Sequence, residues 1–501
     1  MLFWLTHFRG PDYRIVSKFS GLARYQETLK TGYRLLPFKF TPLDAHEYVL
    51  TNQAGEFLIL DRASLYAFAN HDLSWESDLY NTLKAKHFLI DDDSDVALDL
   101  LALKVRTKHA GMADFTSLHM FVATLRCEHS CPYCQVSRQS DDRTAFDMSN
   151  DTADRALAMV FRSPARALKI EFQGGESMLN FDLVRYVVER AEQINETERR
   201  DLQFVIATNL AVVSDDILRY CRDHNILVST SLDGPADIHN KNRPRPGRDS
   251  YERAVAGIWR AREILGRDRV SALMTTTQLS LGHAREIIDE YVRQDFNGIF
   301  LRPLSPYGFA IKTKSYASYD VEEWLRFYFE GLDYIIELNK RGVFFIEHYA
   351  SLILTKMLTP FDPGYVDLRS PAGIGIGAII YNYDGDIYAS DESRMLAEMG
   401  DKTFRLGNVH TNTWEEIMCS DALLDPIEAS FTGSAPMCSD CAFEPYCGAD
   451  PVFHHATQGD ALGHKPTSAF CKRNMAIFKR LINYMRQDEE VRTMFLRWAR
   501  N

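Results

Sequence analysis

Three cysteines, Cys127, Cys131 and Cys134, stand in a C-x3-C-x2-C spacing within LRCEHSCPYCQ. Thiolates crowded onto one short loop are metal ligands by type. Three of them can hold three corners of a cubane iron–sulfur cluster, which leaves one iron without a protein ligand. The alternative is a zinc knuckle, with His129 or a distant residue completing the tetrahedron. A second set follows far downstream, with Cys438, Cys441 and Cys447 in C-x2-C-x5-C and then Cys471. Four cysteines make a closed set, suited to a zinc ion or to a full four-iron cluster. Seven of the nine cysteines belong to these sets. The other two read as buried structural thiols: Cys221 shares an apolar helix face with Ile217 and Leu218, and Cys419 follows an apolar helical turn.

The totals bound the rest. A chain of 501 residues is too long for one ordinary core, so two or three domains are expected. A formal net charge of −12 argues against nucleic acid or an anionic membrane as the main partner. No apolar run approaches the roughly 20 residues that span a bilayer. The opening MLFWLTHFRGPDYR lacks the pattern of a signal peptide. A cytoplasmic protein is the expectation, its cysteines present as thiols or metal ligands rather than disulfides.

The elements that must position the first cysteines run from Leu118 to about Pro303. Short β-rich runs (LHMFVATL, ALKIEFQ, LQFVIAT, ILVSTSL, RVSALMTTT, GIFLRPL) alternate with amphipathic helical patterns. Six such units imply an α/β fold with a parallel sheet and right-handed crossovers, open or closed into a partial barrel. Chemistry in such sheets gathers at the carboxyl ends of the strands, and each motif falls there. The cysteine loop follows the first strand, and Gln173-Gly174-Gly175-Glu176 ends the second, its glycines allowing close backbone approach to a ligand. Thr208-Asn209 ends the third, where Asn209 is equally a turn-stabilising side chain. Ser231-Leu232-Asp233-Gly234-Pro235 ends the fourth, with Arg243 shortly after, and FLRPLSPYG ends the sixth.

Before this unit, EYVLTNQAGEFLIL reads as a β-hairpin about Gln53-Ala54-Gly55, and three helical patterns follow it. Strands plus three short helices make a winged-helix-like module. Its acidic loop, Asp91 to Asp93, argues against DNA, whereas an exposed hairpin edge can capture an extended peptide. A packing domain without a ligand is the plain alternative, and the first thirty or so residues carry no pattern. Three helical runs from about Tyr319 to Thr359 form a bridge. The segment IGAIIYNYDGDIYASDE has a hairpin about Asp384-Gly385, and the chain ends in one amphipathic helix.

The spacing of Cys127, Cys131 and Cys134, with Tyr133 before the last of them, resembles the cluster loop of the radical S-adenosylmethionine (SAM) superfamily. The GGE and SLDGP motifs and the second cysteine set extend the resemblance to peptide-modifying members with a C-terminal SPASM domain, over roughly residues 115 to 475. It implies a partial (β/α)6 TIM-like barrel at 116–305, a winged-helix-like peptide-recognition domain at 1–115, a helical bridge at 306–365 and a SPASM (twitch) domain with its helix at 366–501. It also implies a [4Fe-4S] cluster on the first cysteines whose open iron takes SAM, and reductive cleavage to a 5′-deoxyadenosyl radical that abstracts a substrate hydrogen. Glu176, with Gln173, Gly174 and Gly175, would meet the SAM amino group. Ser231 would meet the ribose, Arg243 the carboxylate and Leu301 the adenine, with Tyr133 and Asn209 nearby and Arg302 facing the cavity. The partners implied are a precursor peptide and an electron donor such as flavodoxin or ferredoxin.

The departures from that family are specific. A full SPASM domain carries seven cysteines for two clusters. Cys438, Cys441, Cys447 and Cys471 match one cluster, whereas the positions of the other are held near Ser370, at Ser390 and at Pro451. One auxiliary [4Fe-4S] cluster is therefore expected, with the emptied site open to substrate. Asp391 occupies the position of an aspartate that acts as a base in sulfatase-maturing relatives, and Glu392 beside it could serve instead. The length, LLPFKF…GEFLIL and YNYDGDIYASDESRM look like the maturase of the His-Xaa-Ser peptide system. The expected activity is a radical SAM maturase that cross-links or oxidises a ribosomally made peptide. The competing readings are a sulfatase-maturing-type enzyme making formylglycine and a non-catalytic, zinc-stabilised peptide-binding protein.

Overall fold

A computed structural model describes residues 32–91, 96–112 and 115–500. The patternless opening, residues 1–31, and the acidic Asp92 and Asp93 lie outside the described residues.

The first strands are β1 (Arg34–Leu35), β2 (Phe38–Pro42), β3 (Glu47–Asn52) and β4 (Phe57–Asp61), and β2-β3-β4 form an antiparallel sheet. The expected hairpin is β3–β4, and Gly55 sits in its turn at a φ of 80°. Strand alternation gives this sheet two dry faces. Leu50 and Leu60 face the helices Arg62–Ala69 and Asp78–Ala85, while Val49 joins the core of the C-terminal region with Phe443 and Phe478. Thr51 Oγ1 donates to Ala442 O at 2.6 Å, and Thr41 Oγ1 accepts from Ala442 N at 2.9 Å. Tyr446 donates to Gly55 O at 2.7 Å. The module is thus docked on the second cysteine region. It closes with β5 (Leu89–Ile90), paired to β1, and the helix Val96–Lys108.

The central sheet starts with β6 (Leu118–Thr124), β7 (Ala167–Gly174), β8 (Asp201–Ala207), β9 (Leu227–Ser231) and β10 (Val270–Leu273), all parallel and in consecutive order. Winding in one direction without a switch is the pattern of a partial barrel rather than of a doubly wound sheet. The crossover helices lie where periodicity placed them, capped by side chains such as Ser149 on Thr152 N and Ser214 on Ile217 N. The sixth unit differs in detail. Its strand, β11 (Gly298–Ile299), pairs not with β10 but with β12 (Ile346–Glu347). The link to β10 is one bond beyond the strand ends, Thr276 N to Arg302 O at 2.9 Å.

At the other edge, β13 (Ala378–Tyr381) pairs in parallel with β6, and β14 (Asp386–Tyr388) and β15 (Arg405–Asn408) continue the sheet antiparallel. One eight-stranded sheet therefore unites barrel and C-terminal domain among the described residues. The bridge is two helices, Val321–Lys340 and His348–Leu358, not three. The expected terminal helix is likewise two, Ala469–Gln487 and Glu489–Trp498, because the Asp488 side chain accepts from Glu490 N and Val491 N and starts a new N-terminus.

Candidate active site

The cysteine loop leaves β6 through a polar clamp. Arg126, almost fully buried, donates to Asp147 through Nε at 2.8 Å and Nη2 at 2.9 Å, and Thr124 Oγ1 donates to the same carboxylate at 2.6 Å. Gly174 and Gly175 press on this entry. A Cβ on Gly174 would stand 2.0 Å from Thr124 O and one on Gly175 2.2 Å from Arg126 O. These glycines bring the end of β7 against the backbone leading into the cysteine loop. Gly308, at a φ of 60°, does the same from the far side: its Cβ would stand 2.4 Å from Gln135 O, and Phe309 N donates to Cys134 O at 2.7 Å.

Glu176 is fully buried and accepts from Met178 N at 2.9 Å, Thr208 Oγ1 at 2.7 Å and Asn209 N at 2.7 Å. Burial, then the charge of Glu128, outweighs those donors and pushes its pKa up to about 7. Asn209 has the turn-forming role expected of it. Its Oδ1 accepts from Ala211 N at 2.8 Å, a turn-forming bond, and its Nδ2 donates to Glu128 at 2.8 Å. Gln173 Nε2 donates to the Met120 sulfur at 2.6 Å, and Ser231 is half-buried at the end of β9.

Sequence reading quoted SLDGP but passed over its Asp233, which is the hub. Completely buried, it accepts from Arg243 Nε at 3.0 Å, Arg243 Nη2 at 3.2 Å, the Tyr133 hydroxyl and Thr275 N. The Arg243 guanidinium also lies over the Tyr133 ring, 5.5 Å from its centroid. An aspartate, an arginine and a tyrosine from three chain segments thus hold the loop at Cys131–Cys134. Leu301 packs against Gly331 in the core below the bridge helix, and Leu304 packs with Tyr133.

The thiols suit the groups expected of them. The His129 ring nitrogens meet Glu128 at 3.0 Å and Ser250 at 2.8 Å, and Cys127, Glu128 and His129 bring one possible ligand atom each within 4.8 Å of one another. Cys438, Cys441, Cys447 and Cys471 line one cavity of about 330 Å³ with Met475 and Phe478. Four thiolates bound to zinc at 2.3 Å would stand about 3.8 Å apart. Among the described residues, no three of these cysteines bring their sulfurs within 4.8 Å of one another. A cavity of that size lined by four cysteines has room for a polynuclear cluster. Burial raises the Cys447 thiol to about 12 and Cys471 to about 11, so both are protonated until a metal displaces the protons. Of the two remaining cysteines, Cys221 is buried as expected. Cys419 is exposed, a correction: it caps the helix Trp414–Met418, and its position leaves the apolar face to Ile417.

The three positions without cysteine have local work. Ser370 Oγ accepts from Thr432 N at 2.8 Å, Ser390 caps the helix Asp391–Ala397, and Pro451 starts the helix Pro451–Gln458. Beside them, at the carboxyl end of the barrel, carboxylates crowd together. Asp391 is held by Arg394 at 3.3 Å. Burial, then Asp367 and Asp391, raises Glu392 to about 8. Burial and Asp367 raise Asp450 to about 7, and burial and Asp391 raise Glu171 to about 7. The carboxyls tuned towards neutral pH are therefore Glu171, Asp450 and Glu392, the last beside the aspartate that motif comparison picks out.

No described helix is long and apolar enough to cross a membrane. Residues 121–290 match the radical SAM superfamily. Over 330 residues the chain is 23% identical to the cysteine-type anaerobic sulfatase-maturating enzyme of Clostridium perfringens, covering 63% of this chain and 83% of that protein. Among solved structures, native anSMEcpe with bound AdoMet superposes with a TM-score of 0.60 at 19% identity, covering 74% of this chain and 99% of that one. Streptococcus suis SuiB bound to precursor peptide SuiA superposes with a TM-score of 0.51 at 14% identity, covering 87% and 99%. The cysteine loop at the end of β6, the glycine-packed turn after β7 and the matched span agree: residues 121–290 form a radical SAM domain.

Proposed function

We propose that the protein is a maturase of a ribosomally made peptide, oxidising or cross-linking one of its side chains. The observation that carries this is the space between the cysteine loop and the C-terminal domain, where a protein with two auxiliary clusters would carry ligands and this one has Ser370, Ser390 and Pro451. Next to Ser390 and Pro451, acidic and aromatic side chains line a cavity, among them Asp367, Glu392, Asp450, Tyr307 and Tyr365. The docked N-terminal module and the likeness to a protein solved with its precursor peptide support a peptide substrate.

Cys127, Cys131 and Cys134 would hold the SAM-binding [4Fe-4S] cluster and Cys438, Cys441, Cys447 and Cys471 one auxiliary cluster. When bound, these groups and SAM supply hydrogen-atom abstraction and a path for the electron left behind. In this assignment Glu176 and Gln173 bind the SAM ammonium, Arg243 the carboxylate and Ser231 the ribose. Asp233 fixes Arg243 and Tyr133 as a positioning residue. The proton lost from the oxidised side chain passes to the Asp391–Glu392 pair, in which Glu392 has the pKa suited to a base near neutral pH.

Anaerobic protein reconstituted with iron and sulfide, given SAM, dithionite and peptides encoded beside its gene, should form 5′-deoxyadenosine and a peptide lighter by two hydrogens. The similarity to sulfatase-maturating enzymes favours a second reading, in which a Cys- or Ser-containing sulfatase peptide is converted to formylglycine. An aldehyde trapped by hydrazide on that peptide would select it. Zinc without iron after reconstitution with both metals would remove both readings.

A further inference from the structure

A cavity of about 790 Å³ lies at the opposite end of the barrel from the cysteine loop. Ser117, just before β6, and Ala165 to Ala167, at the start of β7, form part of its wall, and the N-terminal module and the C-terminal domain close the rest. Its charged lining is Lys39, Lys108, Arg166, Lys356 and Arg369 against Asp362 and Glu444. Asp362 is met by Lys356 at 3.0 Å and Glu444 by Lys39 at 3.0 Å, so both acids are matched. His109 also lines the wall, and partial desolvation lowers its pKa, so it adds no charge near neutral pH. The positive charges of Lys108, Arg166 and Arg369 are left without a carboxylate.

Lys108 is 5% exposed, and its contacts are all neutral. Its ammonium donates to Lys356 O at 2.8 Å and to Ala54 O at 3.4 Å and lies 5.5 Å from the centre of the Tyr446 ring. Burial and the charge of Lys356 lower its pKa to about 8, which still leaves it charged at neutral pH. Arg369 is half-buried, and neither its guanidinium nor that of Arg166 makes a hydrogen bond or ion pair among the described residues. Holding a cation away from water without a partner is unfavourable, so a cavity with three of them favours an anion carrying several negative groups. The whole chain carries −12, which makes this positive pocket a local exception. Val105, Met112 and Phe431 line it too, an apolar surface suited to the methylenes and main chain of a peptide rather than to a hydrated inorganic ion. A concave space also fits a chain better than the convex face of a folded protein. β6 runs seven residues from this end of the sheet towards the cysteine loop. At 3.3 Å per residue that is about 23 Å, so a group bound here is not the one that reacts.

We propose that this cavity binds an acidic segment of the precursor peptide, with Lys108, Arg166 and Arg369 receiving its side-chain carboxylates. It deepens the peptide-maturase reading and rests on it. Each guanidinium can clasp a carboxylate through two parallel bonds, whereas a neutral amide of the same shape leaves the charges unmatched. An extended peptide covers roughly 3.3–3.6 Å per residue, so the bound segment lies at least about seven residues along the peptide from the side chain that is modified. Recognition and chemistry then occupy opposite ends of the barrel.

The test uses full-length, cluster-reconstituted, SAM-loaded protein, titrated calorimetrically at low ionic strength with acetyl-Glu-Glu-Glu-Glu-amide, its all-glutamine counterpart and citrate. The glutamate peptide should bind at least about tenfold more tightly than the glutamine one. Arg166→Gln and Arg369→Gln should each weaken the glutamate peptide at least about threefold and leave the glutamine peptide unchanged. Neither variant should lower the melting temperature of the peptide-free protein, since neither guanidinium bonds anything there. Arg285→Gln, on the helix Ala284–Arg293 and outside the cavity, removes the same charge and should change the affinity by less than about twofold. Equal binding of the two peptides, no detectable binding of the glutamate peptide at millimolar concentration, or an equal loss in Arg285→Gln would overturn the proposal. Citrate binding as tightly as the glutamate peptide would also overturn it, by making the occupant a small polyanion. Displacement of the glutamate peptide by an acidic flavodoxin would do so by assigning the cavity to an electron carrier. The parent reading is scored apart from these titrations, by formation of 5′-deoxyadenosine and the change in peptide mass.

Discussion

The first cysteine set takes its three thiols from residues 127–134, whereas the second draws three from a loop and the fourth, Cys471, from the start of a helix. Their surroundings differ as much. The first loop is clamped by charge, Arg126 on Asp147 and Arg243 on Asp233, at the open end of a parallel sheet. The second is closed by apolar packing. Phe443, Tyr446 and Phe478 are fully buried around it, and the N-terminal hairpin lies over it through Thr41 and Thr51. A site that must admit a substrate keeps a ligand position open and holds its loop with directional polar bonds. A site that only exchanges electrons can be sealed. The contrast fits the proposal that the first set does the chemistry and the second supports it.

Breaking the first set should have the largest effect. Cys131→Ala is expected to reduce formation of 5′-deoxyadenosine to background and remove about four of about eight irons, read by chromatography and iron assay. If deoxyadenosine still forms, the assignment of the two sets is wrong. Cys471→Ala should also lose about four irons, yet depress peptide turnover more than uncoupled SAM cleavage. Equal losses of both activities would erase the distinction between the sets.

The polar clamp is sharpened by Asp233→Ala, which strands Arg243 beside Tyr133 and should cost about 3–5 kcal/mol in denaturant unfolding. A loss below about 1 kcal/mol would mean that Arg243 finds another partner. The acidic space between the sets has a pH signature. Glu392, raised to about 8, and Asp450, raised to about 7, hold protons in the fold that the unfolded chain has already released. Stability of the cluster-free protein should therefore fall as pH rises from about 5 to 8. Glu392→Gln should flatten that decline in calorimetric scans, and an unchanged slope would show that other groups carry it. The smallest effect is reserved for the seal: Thr41→Val removes one bond to the second loop, worth about 1 kcal/mol. It should modestly speed iron release to a chelator from the second set and not from the first.

The strands and crossover helices were readable because each is a local pattern: near-continuous apolar runs for strands buried on both faces, and helical periodicity between them. The hinge between the terminal helices was missed because a single Asp488 within an amphipathic run looks like surface until its carboxylate is seen to cap. Cys419 was misjudged for a related reason, since an apolar neighbour such as Ile417 does not fix which way a residue at a helix end points. Leu304 lies in the loop after the sixth strand, and only packing shows that it meets Tyr133.

By itself the sequence determined both cysteine sets, the glycine and acidic motifs at strand ends, the alternation of strands and crossover helices and the three positions without cysteine. These are statements about neighbours along the chain, where spacing constrains geometry directly. Tertiary structure alone decided that β13 joins β6 to make one sheet, that the N-terminal hairpin covers the second cysteine loop, and that Asp233 binds Arg243 to Tyr133. It also decided that Tyr307, Trp324, Asp367, Glu392 and Asp450 share one cavity. Those groups lie up to about 140 residues apart in the chain. Burial and mutual repulsion act through space, so their effect exists only once the fold has brought them together.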